Sequence, residues 1–200
     1  MVMCLIIMAV VVAADQITKW LAVTYLGSGT VSVIPHILGF SLTYNSGAVG
    51  GVFADSRWMF MIPSVIFIAL LLYYLFRYKP KQNLVRVSIS IIAGGGIGNM
   101  IDRVLAGEVT DFIDTPFIPW IAFEKSSSFP FFRCLGFVDY FPLWNIADGC
   151  IVVGGIILAV YVIVEMIREI KKEKSSAKPE ESAGEPAGSE ETENKPENPS

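Results

Sequence analysis

The stretch Leu84–Val104, LVRVSISIIAGGGIGNMIDRV, decides the fold. Crossing a bilayer takes about 20 mainly apolar residues, and this run is long enough, yet its far end carries Asn99, Asp102 and Arg103. Ionisable groups are costly in lipid and persist mostly where they face a protein interior or a wet site. The span is therefore predicted to deliver its chemistry to one end. Gly94–Gly95–Gly96–Ile97–Gly98 lacks the lysine and strand context of a phosphate loop. Within an apolar run it predicts close helix–helix approach instead.

Working outward, three more apolar runs complete four predicted spans, about 1–26, 58–78, 84–104 and 145–167. The whole chain of 200 residues agrees: 53% is hydrophobic and 17% charged, against roughly a quarter charged in soluble domains, and the mean hydropathy is +0.55. The first run has a rival reading, since Val2–Ala14 followed by Asp15 could be a signal-peptide core ending at small residues. Against this, no Lys or Arg precedes it, and apolar sequence resumes after Lys19. The missing basic start also fits a true N-terminus that differs from Met1.

Arg77, Lys79, Lys81 and Arg86 bracket the second and third spans, and Arg168, Lys171, Lys172 and Lys174 follow the fourth. The positive-inside bias puts both groups, and so both termini, in the cytoplasm. Two loops then face outward, roughly 27–57 and 105–144. In the first, Thr30–Ile34 and Phe40–Tyr44 alternate polar and apolar residues around Pro35 and Gly39, the period of half-buried strands. The second is dense in aromatics, among them Trp120, Phe123, Phe131, Phe132, Phe137 and Tyr140. Such rings partition to the headgroup zone, so this is a predicted membrane-surface segment. The fold class is thus an all-α integral membrane protein of four transmembrane helices with a small extracytoplasmic β-sheet.

Residues 1–170 form the membrane domain in this reading, and 171–200 a disordered acidic cytoplasmic tail. From Lys171 onward eight Glu face five Lys, which places −3 of the net charge of −4 in the tail and −1 before it. The tail has no apolar periodicity with which to order itself. The nearly neutral body offers no basic surface for nucleic acid. Cys4, Cys134 and Cys150 make neither a disulfide framework nor a metal or redox site.

Sorted by depth, the polar residues of the spans gather in one layer at the outer interface: Asp15 and Lys19, then Asn99, Asp102 and Arg103, then Asn145 and Asp148, with Asn45 and Asp111 in the adjoining loops. Each has a plain structural explanation as well. Asp15 and Lys19 are an i, i+4 helix pair. Asn145 is a natural helix cap, and Asp148 suits the positive end of a helix. His36 is the only histidine, so nucleophilic chemistry driven by a histidine base has no second candidate. Carboxylate chemistry remains. Two aspartates held close together cannot easily both ionise, so one activates water while the other, protonated, polarises a carbonyl. Asp148 is one candidate; spacing alone leaves its partner open among Asp102, Asp111, Asp114 and Asp139.

At this point the motifs narrow the choice. Asp15–Lys19 (DQITK), Asn45–Val49 (NSGAV), Gly94–Asn99 running into Ile101–Asp102–Arg103, Gly107–Ile113 (GEVTDFI) and Asn145–Asp148 (NIAD) together resemble lipoprotein signal peptidase, also called signal peptidase II. The resemblance implies an aspartyl endopeptidase without metal or cofactor. Its implied substrates are prolipoproteins whose cysteine carries diacylglycerol, cut just before that cysteine; the cyclic peptide globomycin is the inhibitor class. Its implied setting is the bacterial cytoplasmic (inner) membrane, as a monomer working among membrane lipid, with the site at the outer face. By motif position, Asp111 and Asp148 correspond to the catalytic pair. Asn45, Gly47, Asn99, Arg103 and Asn145 match residues around it, Ala147 matches a small residue that leaves room for water and substrate, and Asp15 and Lys19 are support.

The segment between Asp111 and Asn145 is longer than the family pattern, and Gly136–Tyr140 (GFVDY) partly echoes Gly107–Phe112. Asp139 is therefore a second choice for Asp111. Trp144 stands where the pattern often has Phe, and the acidic tail has no counterpart. Three rival functions make different demands. An ion or proton transporter needs ionisable groups near mid-bilayer, and the middles of these spans carry essentially none. A scaffold working through its tail would tolerate loss of Asp148. An intramembrane protease of the presenilin or prepilin kind would carry Gly-x-Gly-Asp, which does not occur.

Overall fold

The structure, a computed structural model, describes residues 1–45, 57–116 and 143–176. Gly47, Asp139, Cys134, most of the aromatic segment and the tail beyond Ser176 lie outside the described residues. In chain order the elements are α1 (Val2–Tyr25), β1 (Thr30–Ile34), β2 (Leu38–Asn45), α2 (Arg57–Tyr78), α3 (Asn83–Leu105), β3 (Val109–Asp114) and α4 (Ile146–Ser176). Four helical segments among the described residues are long and apolar enough to cross a membrane: Val2–Tyr25, Met61–Tyr78, Asn83–Leu105 and Ile146–Lys174. Contacts divide the chain into two units, Met1–Tyr161 and Val162–Ser200. The described part of the second is helix to Ser176, so helix continues past the 170 boundary. Arg168 and Glu165 form an ion pair there at 2.6 Å.

Within the first unit, α3 is the central helix. It packs on α1 through residues without Cβ atoms: a Cβ on Gly98 would lie 2.6 Å from Asp15 Oδ2. On its other side, a Cβ on Gly95 would lie 2.5 Å from the carbonyl oxygen of Ala147. The glycine run thus brings helices together, as its setting predicted. One apolar cluster gathers Cys4, Leu75, Val85 and Ile89, with Leu158 and Tyr161 against it. Another joins Ala22 to Phe112 and Ile113, with Phe40, Trp144 and Ile146 alongside. This second cluster seats the sheet on the end of α1.

The sheet is antiparallel throughout, in the order β1-β2-β3. β1 and β2 fall where alternation placed them. β3 does not follow from alternation; its Val109–Asp114 segment reads as loop because it contains two aspartates, a residue depleted in strands. Gly107, with φ of 84°, takes the left-handed conformation that turns α3 into β3. Trp144 then docks on β3. Its carbonyl accepts the N–H groups of Phe112 and Ile113 at 3.1 and 2.8 Å, and its own N–H donates to Ile113 at 3.1 Å. That bridge fixes the start of α4 beside β3.

Candidate active site

Asp111 comes from β3 and Asp148 from the first turn of α4. β2 pairs with β3 so that Thr43 faces Asp111 and Asn45 faces Val109; Asn45 is therefore diagonal to Asp111 on the same face. Its Nδ2 donates to Asp111 Oδ2 at 2.9 Å. The other carboxylate oxygen, Oδ1, accepts Asn145 Nδ2 at 2.6 Å.

Asn145 does cap α4, and the cap is part of the site. Asp148 N–H donates to Asn145 Oδ1 at 3.0 Å, and Asn145 N–H donates back to Asp148 Oδ2 at 3.2 Å. This is the reciprocal logic of a capping box. Asn99 Nδ2 donates to Asp148 Oδ1 at 2.7 Å, while Asn99 Oδ1 accepts Asn145 Nδ2 at 3.1 Å. Each of the four carboxylate oxygens thus receives one amide donor, and Asn99 and Asn145 tie the two aspartates together.

Burial pushes the Asp111 carboxyl up to about 6. Hydrogen bonds from Asn45 and Asn145 and the charge of Lys19 oppose that rise, and Asp148 adds to it. Asp111 is therefore poised to exchange a proton near neutral pH, as acid–base work requires.

Behind the pair lies a second polar layer. Lys19 Nζ is 2.8 Å from Asp15 Oδ2, 2.8 Å from Asp102 Oδ2 and 2.9 Å from Asn99 Oδ1. Ala147 is 0% exposed; its N–H donates to Asp15 Oδ1 at 3.0 Å, so its backbone, as well as its small side chain, has a place in the site. Arg103 is half-buried, within electrostatic reach of Asp111, Asp148 and Asp102, and its Nη1 lies 3.5 Å from the Asn99 carbonyl.

Of the predicted residues, Asp111, Asp148, Asn45, Asn99, Asn145, Ala147, Asp15 and Lys19 thus meet in one hydrogen-bonded assembly, with Arg103 at its margin. Gly47 and Asp139 lie outside the described residues. Two of the open alternatives are otherwise engaged. Asp102 has both oxygens engaged by Lys19, Gln16 and Thr110. Asp114, three residues from Asp111 and so on the opposite face of the strand, lines a groove with Thr30, Ser32 and His36. Gln16 was missed as a site residue, although it lies inside the Asp15–Lys19 motif. Among the described residues no group of three or more His, Cys, Asp or Glu is disposed to hold a metal ion.

Comparison with known proteins gives the same direction. The family described as signal peptidase (SPase) II matches residues 7–164. A lipoprotein signal peptidase of Symbiobacterium thermophilum is 33% identical over 163 residues, covering 80% of this chain and 95% of its own. One from Listeria monocytogenes serotype 4a is 34% identical over 156 residues, covering 78% and 89%. A bacterial membrane enzyme solved by the in meso method at 2.3 Å superposes with a TM-score of 0.64 at 30% identity, covering 90% of this chain and 94% of that one. Another, solved at 1.9 Å, gives 0.65 at 31%, covering 81% and 93%.

Proposed function

The chain belongs to the signal peptidase II family, bacterial membrane-bound proteases that remove signal peptides from prolipoproteins, and on that premise we propose that Asp111 and Asp148 are its aspartyl catalytic pair. The observation that carries the assignment is the meeting of the two carboxylates through Asn99 and Asn145, with an amide donor on each oxygen. Such a pair holds one proton between two acids, because both cannot ionise at close range.

In the proposed reaction the ionised aspartate takes a proton from water, whose oxygen adds to the scissile carbonyl carbon. The protonated aspartate donates to the carbonyl oxygen as charge develops there. When the C–N bond breaks, the proton taken from water goes to the leaving amine, and the carbonyl re-forms with return of the other proton. Neither step needs a group from outside the pair. Asn45, Asn99 and Asn145 hold the carboxylates in register through this exchange, and Arg103 adds positive charge at the margin.

The scissile bond is proposed to be the one before a diacylglyceryl-modified cysteine. Two acyl chains would hold such a substrate in the plane of the bilayer, at about 0.8 kcal/mol per buried methylene. That puts the bond at the interface, the level to which the first, third and fourth spans bring their polar residues. An apolar groove between α2 and α3 ends at Ile101, Val104 and Leu105, beside Arg103, and offers acyl chains a surface at that level. The basic residues around 77–86 and 168–174 support cytoplasmic termini, with the pair at the outer face. A transporter is disfavoured because the buried polar residues in the first half of α3, Ser88 and Ser90, are uncharged and donate to their own helix backbone, at Leu84 and Arg86.

A gel-shift assay in detergent tests this reading. Full-length protein meets a prolipoprotein with and without prior diacylglyceryl modification, beside Asp111→Asn, Asp139→Asn and Asp148→Asn. Cleavage of the lipidated form alone, lost with Asp111 and Asp148 and kept with Asp139, is the expected result. Full activity in folded Asp111→Asn would move the assignment to Asp139.

A further inference from the structure

Lys19 is 4% exposed, and its ammonium meets three acceptors: Asp15, Asp102 and Asn99. An ammonium has three N–H donors and no acceptor, so all three are engaged. It also fixes the Asn99 amide, because only the oxygen of that amide can face it, which leaves Nδ2 for Asp148.

Each carboxylate that Lys19 holds has a second task on a different segment. Asp15 Oδ1 accepts the backbone N–H of Ala147 at 3.0 Å. Asp102 Oδ2 accepts the backbone N–H of Thr110 at 3.1 Å. Ala147 immediately precedes Asp148, and Thr110 immediately precedes Asp111. Gln16 Nε2 closes the arrangement by donating to Asp102 Oδ1 at 2.9 Å, Asp15 Oδ2 at 3.2 Å and the Gly98 carbonyl at 3.2 Å. Symmetric paths thus run from one ammonium, through one carboxylate each, to the residue before each member of the pair.

Resting on the assignment of Asp111 and Asp148 as that pair, we propose that Asp102 is a positioning residue for the cleavage reaction. With Lys19 as hub, Asp102 and Asp15 clamp the backbone at Thr110 and Ala147 and so set the separation at which the two aspartates share a proton. Local structure alone does not set it. β3 and α4 are separate elements, and the clamp joins both of them to α1 and α3.

Asp102→Asn breaks the clamp at nearly constant size. Asp102 accepts from Lys19, Gln16 and Thr110, so either orientation of an Asn amide turns its own N–H2 toward a donor. Asp111 is faced by Asp148 from α4, Lys19 from α1 and Arg103 from α3, with the amides of Asn45 and Asn145 on its oxygens. Removing a negative charge from this surrounding leaves Lys19 less compensated and favours the ionised pair, so the acidic limb of kcat/KM moves to lower pH.

The test is cleavage of lipidated prolipoprotein by full-length enzyme in detergent, with rates expressed per folded molecule from thermal unfolding. Asp102→Asn is expected to lower kcat about 100-fold, the scale of a misplacement near 1 Å. KM should stay within about twofold, and the acidic limb should fall. Lys19→Met/Asp102→Asn, which removes one charge of each sign, should fold and stay equally slow. A merely structural role would reduce the folded fraction and leave kcat per folded molecule and the limb in place. Wild-type kcat in either folded variant would overturn the proposal. Loss of fold in both would also overturn it, by making Asp102 a folding residue. Asp111→Asn and Asp148→Asn in the same assay separate the two readings: if they retain activity the pair assignment fails, and if they are inactive while Asp102→Asn is normal only the clamp fails.

Discussion

Helices α2 and α3 are near twins by hydropathy and opposites in use. Both are apolar enough to cross a bilayer, yet only 6% of the membrane-length stretch of α2 is buried inside the protein, against 56% of that of α3. α2 turns Ile62, Val65, Phe67 and Leu70 outward, as a helix facing lipid does. α3 receives α1 through Gly98, the start of α4 through Gly95, and β3 through the Asp102–Thr110 bond. Hydropathy establishes that a helix crosses the membrane. Small and polar residues along it establish which helix organises the others, since lipid tails leave close packing and hydrogen bonds as the main attractions between helices.

The sharpest contrast between the two helices is in what they hold. Asp111→Asn or Asp148→Asn should lower cleavage by about 10³-fold or more, the upper range for loss of a general acid or base, without unfolding the protein. Ile66→Leu on the exposed face of α2 should leave the rate unchanged in the same assay. A large loss from Ile66→Leu would break the comparison.

Next comes Gly95→Ala on α3. Its Cβ would lie 2.5 Å from the Ala147 carbonyl, which is backbone and cannot swing aside. The start of α4 must shift, carrying Asp148, and kcat should fall about 100-fold. Gly155→Ala on α4 has nothing within 4 Å of its Cβ and serves as the matched control. Equal rates for the two variants would show that the close approach does not position Asp148.

Acidity should act more mildly. With Asp111 raised to about 6, protonation below that point fills both members of the pair. kcat/KM should then fall about tenfold per pH unit on the acid side, with a midpoint that belongs to the coupled pair. The smallest effect expected is that of Asn45→Ala. Asn45 donates to Asp111 and lowers its pKa, so removing it raises the pKa and moves the limb to higher pH, by about one unit for a bond of that strength. A limb that fell instead would contradict the role given to Asn45.

Much of this was legible in sequence because its causes are local. The four spans follow from apolar runs, the β1–β2 hairpin from alternation, and the capping role of Asn145 from its residue type at the start of the fourth span. The outer polar layer followed from depth along the spans. What stayed hidden was relational. β3 lacks the strand pattern because Asp111 and Asp114 interrupt it. Gln16 and Asp102 are 86 residues apart in sequence, and nothing along the chain shows that they touch. The glycine run announced close approach, but only the fold shows that Asp15 and Ala147 are what approaches. Asp102 looked like a possible member of the pair because residue type and depth do not reveal which donors occupy a carboxylate.

The most direct measurement is a double-mutant cycle on the pair. Cleavage rates are compared for wild type, Asp111→Asn, Asp148→Asn and the double variant, all folded in the same detergent. Residues that act as one unit are strongly non-additive. The account predicts that the double variant is no slower than the slower single. A double variant slower by the product of the two single losses would mean that Asp111 and Asp148 act independently, and would contradict a shared-proton pair.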